Sequence, residues 1–175
     1  MRQCGRMPIQ VPAIAGFPLD IEQLSVLGEV AALGALIESV ADGVLCRLVT
    51  EDREAIEPVV AGQPVSWLME KIKELAGRAP EEATGIREWV AQSKGPLEQR
   101  NLLVHSSWLM ETPAQPGSTV GYRRRRGRGP EFHFKTAADM AVIRDGLAVI
   151  YQTGLAIAHR LHAMDPESPG WAGAE

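Results

Sequence analysis

Between Leu24 and Leu48 the apolar residues Leu24, Leu27, Val30, Leu33, Ile37, Val40, Val44 and Leu48 recur at spacings of three and four. That is the spacing of one face of an α-helix, and it is incompatible with the two-residue period of a half-buried strand. Asp20 stands where it can cap such a helix, which is expected to run to about Thr50 unless Gly43 bends it. Ala31, Ala32, Gly34 and Ala35 near its middle would admit a close helix neighbour. Aromatic residues make up only 5% of the chain, and alanine and glycine are in excess. That balance favours closely packed helices over a β-sandwich.

The remaining pattern agrees. Residues 1–18 are an irregular arm rich in proline and glycine. Glu57, Pro58, Gly62 and Pro64 form a connection, and a shorter helix then carries Val65, Leu68, Ile72 and Leu75 to a stop near Gly77 and Pro80. A third helix opens near Pro80 to Glu82. Gly95 and Pro96 either kink it or break it, and it continues from Leu97 to Leu109. From Thr112 to Lys135 the helical pattern is lost, and the alternation around Phe132, His133 and Phe134 indicates a short hairpin or a long loop. Thr136-x-x-Asp139 resembles a capping box. It opens a last helix, through Ile143, Leu147, Ile150 and Ile157, that reaches about Met164. The tail from 166 to 175 is expected to fray. The fold class expected is therefore all-α: one domain of 175 residues, a four-to-five-helix bundle with a loop or β-hairpin inserted before the last helix.

A net charge of -4 with 45% hydrophobic residues excludes a disordered chain. Two cysteines, Cys4 and Cys46, exclude a disulfide scaffold and are expected to be thiols. Glu29, Glu38, Arg144 and Asp145 interrupt the apolar stretches, so no membrane span is expected. Pro8, Pro12 and Pro18 break any secretory core. A cytoplasmic protein is the expectation.

The chain lacks a phosphate loop, a Gly-x-Gly-x-x-Gly turn, His-Glu-x-x-His and Gly-x-Ser-x-Gly, so neither the common nucleotide folds nor the common hydrolases are indicated. No cofactor is expected. His159, His162 and Asp165 are spaced as metal ligands can be, but histidines at a helix C-terminus suit the dipole alone, and no metal is expected. Ser106 and Ser107 beside His105 point in different directions on a helix and make a poor nucleophile–base pair. The distinctive segment is Glu98-Gln99-Arg100-Asn101-Leu102-Leu103-Val104-His105-Ser106-Ser107-Trp108. Within six residues it sets an imidazole that can carry a proton near neutral pH, a guanidinium that can fork onto phosphate oxygens and an amide that can orient either. Metal-independent RNA cleavage by the 2′-hydroxyl requires those groups. A packed histidine and a solvated arginine are the structural alternative.

Arg100-Asn101-x-x-x-His105, late in the third helix of such a bundle, resembles the motif of the HEPN superfamily, an arginine followed four to six residues later by histidine, commonly with a polar residue after the arginine. The likeness covers the layout from Asp20 to Met164. It implies a metal-independent endoribonuclease, a toxin or antiviral effector, acting as a homodimer whose paired motifs form one cleft. Arg100 and His105 would be catalytic and Asn101 orienting, and a cognate antitoxin would be a possible protein partner. Members without cleavage activity that bind RNA or nucleotides are the alternative it implies, and a helical interaction module is a third reading. On a straight helix, Asn101 and His105 share one flank, and Arg100 lies roughly 140° from His105 on the other. The pair would therefore need a reaching arginine, a distorted helix or a second subunit.

Tyr122-Arg123-Arg124-Arg125-Arg126-Gly127-Arg128-Gly129 places five of the 18 basic residues within six positions. Residues 94–135 hold eight basic and three acidic side chains inside an otherwise acidic protein. Arg123, Arg124, Arg125, Arg126 and Arg128 are expected to contact an RNA backbone, the alternatives being a solvated loop or an acidic partner. No aromatic-stacking platform like that of a sequence-specific RNA module is visible, so sequence preference is expected to be modest.

Overall fold

A computed structural model describes residues 18–49, 53–109, 118–124 and 130–163. The described residues are mostly helical, with a small antiparallel sheet before the last helix. In chain order the elements are α1 (Ile21–Val49), α2 (Arg53–Val60), α3 (Val65–Leu75), a 3-10 turn (Ala76–Arg78), α4 (Ala83–Val104), β1 (Ser107–Leu109), β2 (Thr119–Arg124), β3 (Pro130–Lys135) and α5 (Ala137–Ala163). The expected arm, apart from Pro18, and the expected fraying tail lie outside the described residues.

Helix α1 begins with a reciprocal cap. The Gln23 N–H donates to Asp20 Oδ1 at 2.7 Å, and the Asp20 N–H donates back to Gln23 Oε1 at 3.1 Å. That exchange satisfies two backbone donors that a helix end leaves open. Helix α5 begins in the same way. Asp139 N–H donates to Thr136 Oγ1 at 3.1 Å, while Asp139 Oδ2 accepts from the Thr136 N–H at 2.9 Å and hydroxyl at 2.8 Å.

The core lies where α1 packs along α5, with α3 and α4 completing it. Val30, Ile37, Val44, Ile86, Met140 and Leu147 are wholly inaccessible, each stabilising the fold by about 1.5–3 kcal/mol. Trp89 fixes α4 on α5: its indole N–H donates to the Ile150 carbonyl at 2.9 Å. The ring lies against Gly154, where a Cβ would come within 2.7 Å of the indole Cε2.

Two expectations need correction. The segment read as a connection contains α2, because Ile56 and Val60 share a helical face that packs on the core. Pro58, which prompted the reading, is tolerated inside that short helix. The third helix neither breaks at Gly95-Pro96 nor runs to Leu109. It passes through Pro96 and ends at Val104, with His105 as its C-cap. Beyond it, Ser106 turns its hydroxyl back to the Leu102 carbonyl at 2.5 Å, satisfying one of the carbonyls orphaned at a helix end. Ser107 to Leu109 then pair with β2. By length and composition alone α1 and α5 pass a test for membrane-crossing helices that long core helices also pass. Two of the charges that interrupt them meet, Arg144 Nη1 lying 3.1 Å from Glu29 Oε2 across the two helices.

The sheet order is β1-β2-β3, antiparallel throughout, with Trp108 opposite Gly121 and Gly121 opposite His133. Gln23, only 2% exposed, ties this sheet to α1: its amide donates to the Lys135 carbonyl at 3.4 Å and accepts from the Thr119 hydroxyl at 3.0 Å.

Candidate functional site

The buried face of α4 runs through Ile86, Trp89, Ser93 and Leu97 to Leu103. Continuing the three-and-four spacing from Ser93 and Leu97 lands on Arg100. This arginine therefore occupies a core position on the stripe, and not the flank that a stripe drawn through Val90 and Val104 assigns to it.

Its surroundings follow from that placement. The side chain is 16% exposed, and Nη2 lies 3.9 Å from Glu38 Oε1 on α1. Nη1 donates to Asn101 Oδ1 at 3.0 Å. The guanidinium rests on Gly34, where a Cβ would stand 3.0 Å from both Cζ and Nη2. At Gly34 the small-residue stretch of α1 admits a guanidinium from the neighbouring helix α4. Nε is buried and has no hydrogen-bond partner. A largely covered cation with one long ion pair and one open donor is held by packing more than by charge complementarity.

Asn101 is half-buried and takes part in two sites. It accepts from Arg100, and it lines a cleft of about 400 Å³ between α3 and α4. The floor of the cleft is apolar, from Val65, Met69, Val90 and Leu97, and its rim carries Lys73, Arg87 and Lys94 beside Glu70 and Glu98. His105 stands one turn beyond Asn101, its N–H bonded to the Asn101 carbonyl at 3.2 Å. Its side chain is exposed, and no described residue hydrogen-bonds its ring. Within one chain, then, the fold joins Arg100 to Asn101 and leaves His105 exposed at the C-cap of α4.

A second imidazole escaped the sequence reading. His133 lies across Gly121 from Trp108, the two rings edge to face with centroids 5.4 Å apart. Its Nε2 is 3.4 Å from Ser106 Oγ, and its Nδ1 is buried without a hydrogen-bond partner. Burial holds its pKa below the ordinary histidine value; Lys135 lowers it further and Glu131 opposes. Only its alternation with Phe132 and Phe134 marked it, because its neighbours come from the strand register.

Of the arginine cluster, Arg123 and Arg124 lie in β2, and Arg123 is half-buried. Arg125, Arg126 and Arg128 lie outside the described residues. So does Asp165 of the His159-His162 group, and among the described residues no three histidine, cysteine or acidic side chains come together as metal ligands would. Comparison with protein-family models, with curated proteins and with solved structures finds no match for this chain.

Proposed function

We propose that the chain is a metal-independent endoribonuclease of the HEPN type, a cytoplasmic four-to-five-helix bundle that acts on RNA as a homodimer. The observation that carries this reading is the motif's placement: Arg100 is held between α1 and α4 with Asn101 bonded to it, and the exposed His105 follows one turn later at the helix end. A guanidinium fixed in place and an accessible imidazole are the two groups that 2′-hydroxyl attack needs. In that reaction the substrate's 2′-oxygen bonds to phosphorus and the 5′-oxygen leaves. The 2′-hydroxyl loses a proton and the departing 5′-oxygen gains one; His105 handles one of these transfers and solvent water the other, while Arg100 stabilises charge on the phosphate. The products are a 2′,3′-cyclic phosphate and a 5′-hydroxyl. Because Arg100 and His105 diverge on one helix, the second protomer supplies the complementary half of the site.

A non-catalytic RNA- or nucleotide-binding protein is the second reading, and one observation favours it. Arg100 is largely covered, so a phosphate reaching it has to displace the Glu38 contact. Total RNA incubated with the protein in excess chelator separates the two: cyclic-phosphate products support the first, and binding without cleavage supports the second. Replacing His105 with alanine should lower single-turnover cleavage by roughly 10²–10⁴-fold with RNA affinity nearly unchanged. A folded variant that cleaves at the parental rate would remove His105 from the chemistry.

A further inference from the structure

β3 closes the sheet on one side. The order β1-β2-β3 leaves it, among the described residues, paired with β2 alone. A strand in that place presents a row of backbone N–H and C=O groups along its outer edge, a template for another strand. Its sequence is Pro130-Glu131-Phe132-His133-Phe134-Lys135. Residues directly opposite each other in an antiparallel pair share a face, and successive residues alternate. Phe132 and Phe134 therefore lie on one face, opposite Tyr122 and Val120 of β2, while Glu131, His133 and Lys135 lie on the other. Phe132 is 55% exposed and Phe134 48%. Exposed aromatics beside an open strand edge mark an association surface.

The order of these side chains selects the occupant. A second copy that lays its own β3 antiparallel to this one is related to it by a twofold axis normal to the sheet. Such an axis keeps each face on its own side, so it passes through a residue and not between two. With the axis at His133, Phe132 falls opposite the partner's Phe134, and Glu131 falls opposite the partner's Lys135. By symmetry each contact occurs twice. Aromatic meets aromatic on one face and carboxylate meets ammonium on the other, so the strand is complementary to its own reverse. Both rows continue into β2. Tyr122 is already in ring contact with Phe132, with centroids 5.3 Å apart, and Arg123 lies opposite Glu131, so the charges alternate across the strands. Moving the axis to Phe132 or Phe134 sets Lys135 or Glu131 opposite a position beyond the strand and loses both charge pairs. The ends of the strand limit pairing to residues 131–135: Pro130 has no N–H, and the Thr136 N–H is taken by Asp139 Oδ2 at 2.9 Å. His133, at the axis, keeps its ring against Trp108.

We infer that the outer edge of β3 is a self-association surface, on which a second copy of this chain adds its own β3 in the register that sets Glu131 against the partner's Lys135. This edge gives the homodimer proposed above its surface, and rests on that reading for the dimer alone, the pairing chemistry of the strand being independent of RNA.

The test is sedimentation velocity on the full-length protein across micromolar concentrations. Lys135→Glu sets carboxylates opposite each other at both symmetry-related contacts, and Glu131→Lys sets ammonium groups there. Each alone should weaken the dimer roughly 10- to 100-fold. An equimolar mixture of the two variants restores opposite charges at both contacts and should sediment as the parent does. A role for either residue within its own chain predicts no such rescue. Phe132→Ala should weaken the dimer about 5- to 150-fold, since two aromatic pairs are lost. Thermal melts accompany every variant. Lys135 faces Thr119 inside the chain, so its reversal sets no like charges opposite within the fold. A parent that stays monomeric overturns the inference, as does a dimer indifferent to the reversals or a mixture that stays apart. RNA cleavage on the same preparations keeps the two readings distinguishable. A folded, dissociated Lys135→Glu protein that cleaves like the parent upholds this edge and refutes the two-subunit site. A parent dimer untouched by the variants refutes the edge and leaves the RNA reading standing.

Discussion

Gly34→Ala tests the placement of Arg100 more directly than removing the arginine does. In a helix interior this change by itself stabilises by about 1 kcal/mol, through lower backbone entropy in the unfolded chain. Here the new methyl would stand 3.0 Å from Arg100 Cζ and Nη2, against the ~3.5–4.0 Å of optimal contact. The guanidinium has to retreat, and the movement stretches its 3.0 Å bond to Asn101. A hydrogen bond to a charged group contributes about 1.5–3 kcal/mol, so in the parent the helix gain is cancelled or reversed. In an Arg100→Ala background nothing has to move, and the full gain of about 1 kcal/mol should appear. The expected coupling is therefore about 1.5–3 kcal/mol, measured as a double-mutant cycle by urea unfolding at 25 °C. If Gly34→Ala has the same effect in both backgrounds to within ~0.5 kcal/mol, the guanidinium does not rest on Gly34. The same variant also reports on function, since displacing a catalytic group by about 1 Å can cost ~10²-fold in rate. Cleavage should fall in the folded Gly34→Ala protein, and an unchanged rate would mean that the position of Arg100 is immaterial to the chemistry.

Two further outcomes are expected. Thr136→Ala removes the acceptor for the Asp139 N–H and a donor to Asp139 Oδ2, so it should cost about 0.5–2 kcal/mol in urea unfolding; no loss would show that the cap is idle. The Thr136 backbone N–H first, and its hydroxyl second, donate to Asp139 Oδ2 and hold that carboxyl below its usual range. For His133, the folded pKa lies below the ordinary 6.5, so as pH falls past that value the unfolded chain takes up a proton that the folded one resists. Stability should fall between about pH 6.5 and the folded pKa and then level off. His133→Gln should flatten that part of the profile, and an identical slope in the variant would assign it to another group.

The helices were legible in the sequence wherever the driving force was local and periodic. The apolar stripe after Asp20 and the Thr136-x-x-Asp139 box specify α1 and α5, because capping and a three-and-four spacing act within a few residues. The sequence misplaced what depends on a partner. Pro58 reads as a stop until the core that buries Val60 is present, and Ser107 to Leu109 read as helix until β2 offers hydrogen bonds. Arg100 reads as a flanking charge because a single helix does not reveal that Gly34 on α1 leaves room for a guanidinium on the buried stripe. Tyr122, Phe132 and Phe134 share a face only through the β2–β3 register, and His133 meets Trp108 only across β2. Local propensity and periodicity therefore wrote the elements, while contacts between residues far apart in the chain decided which side chains are covered, which are neighbours and which face outward.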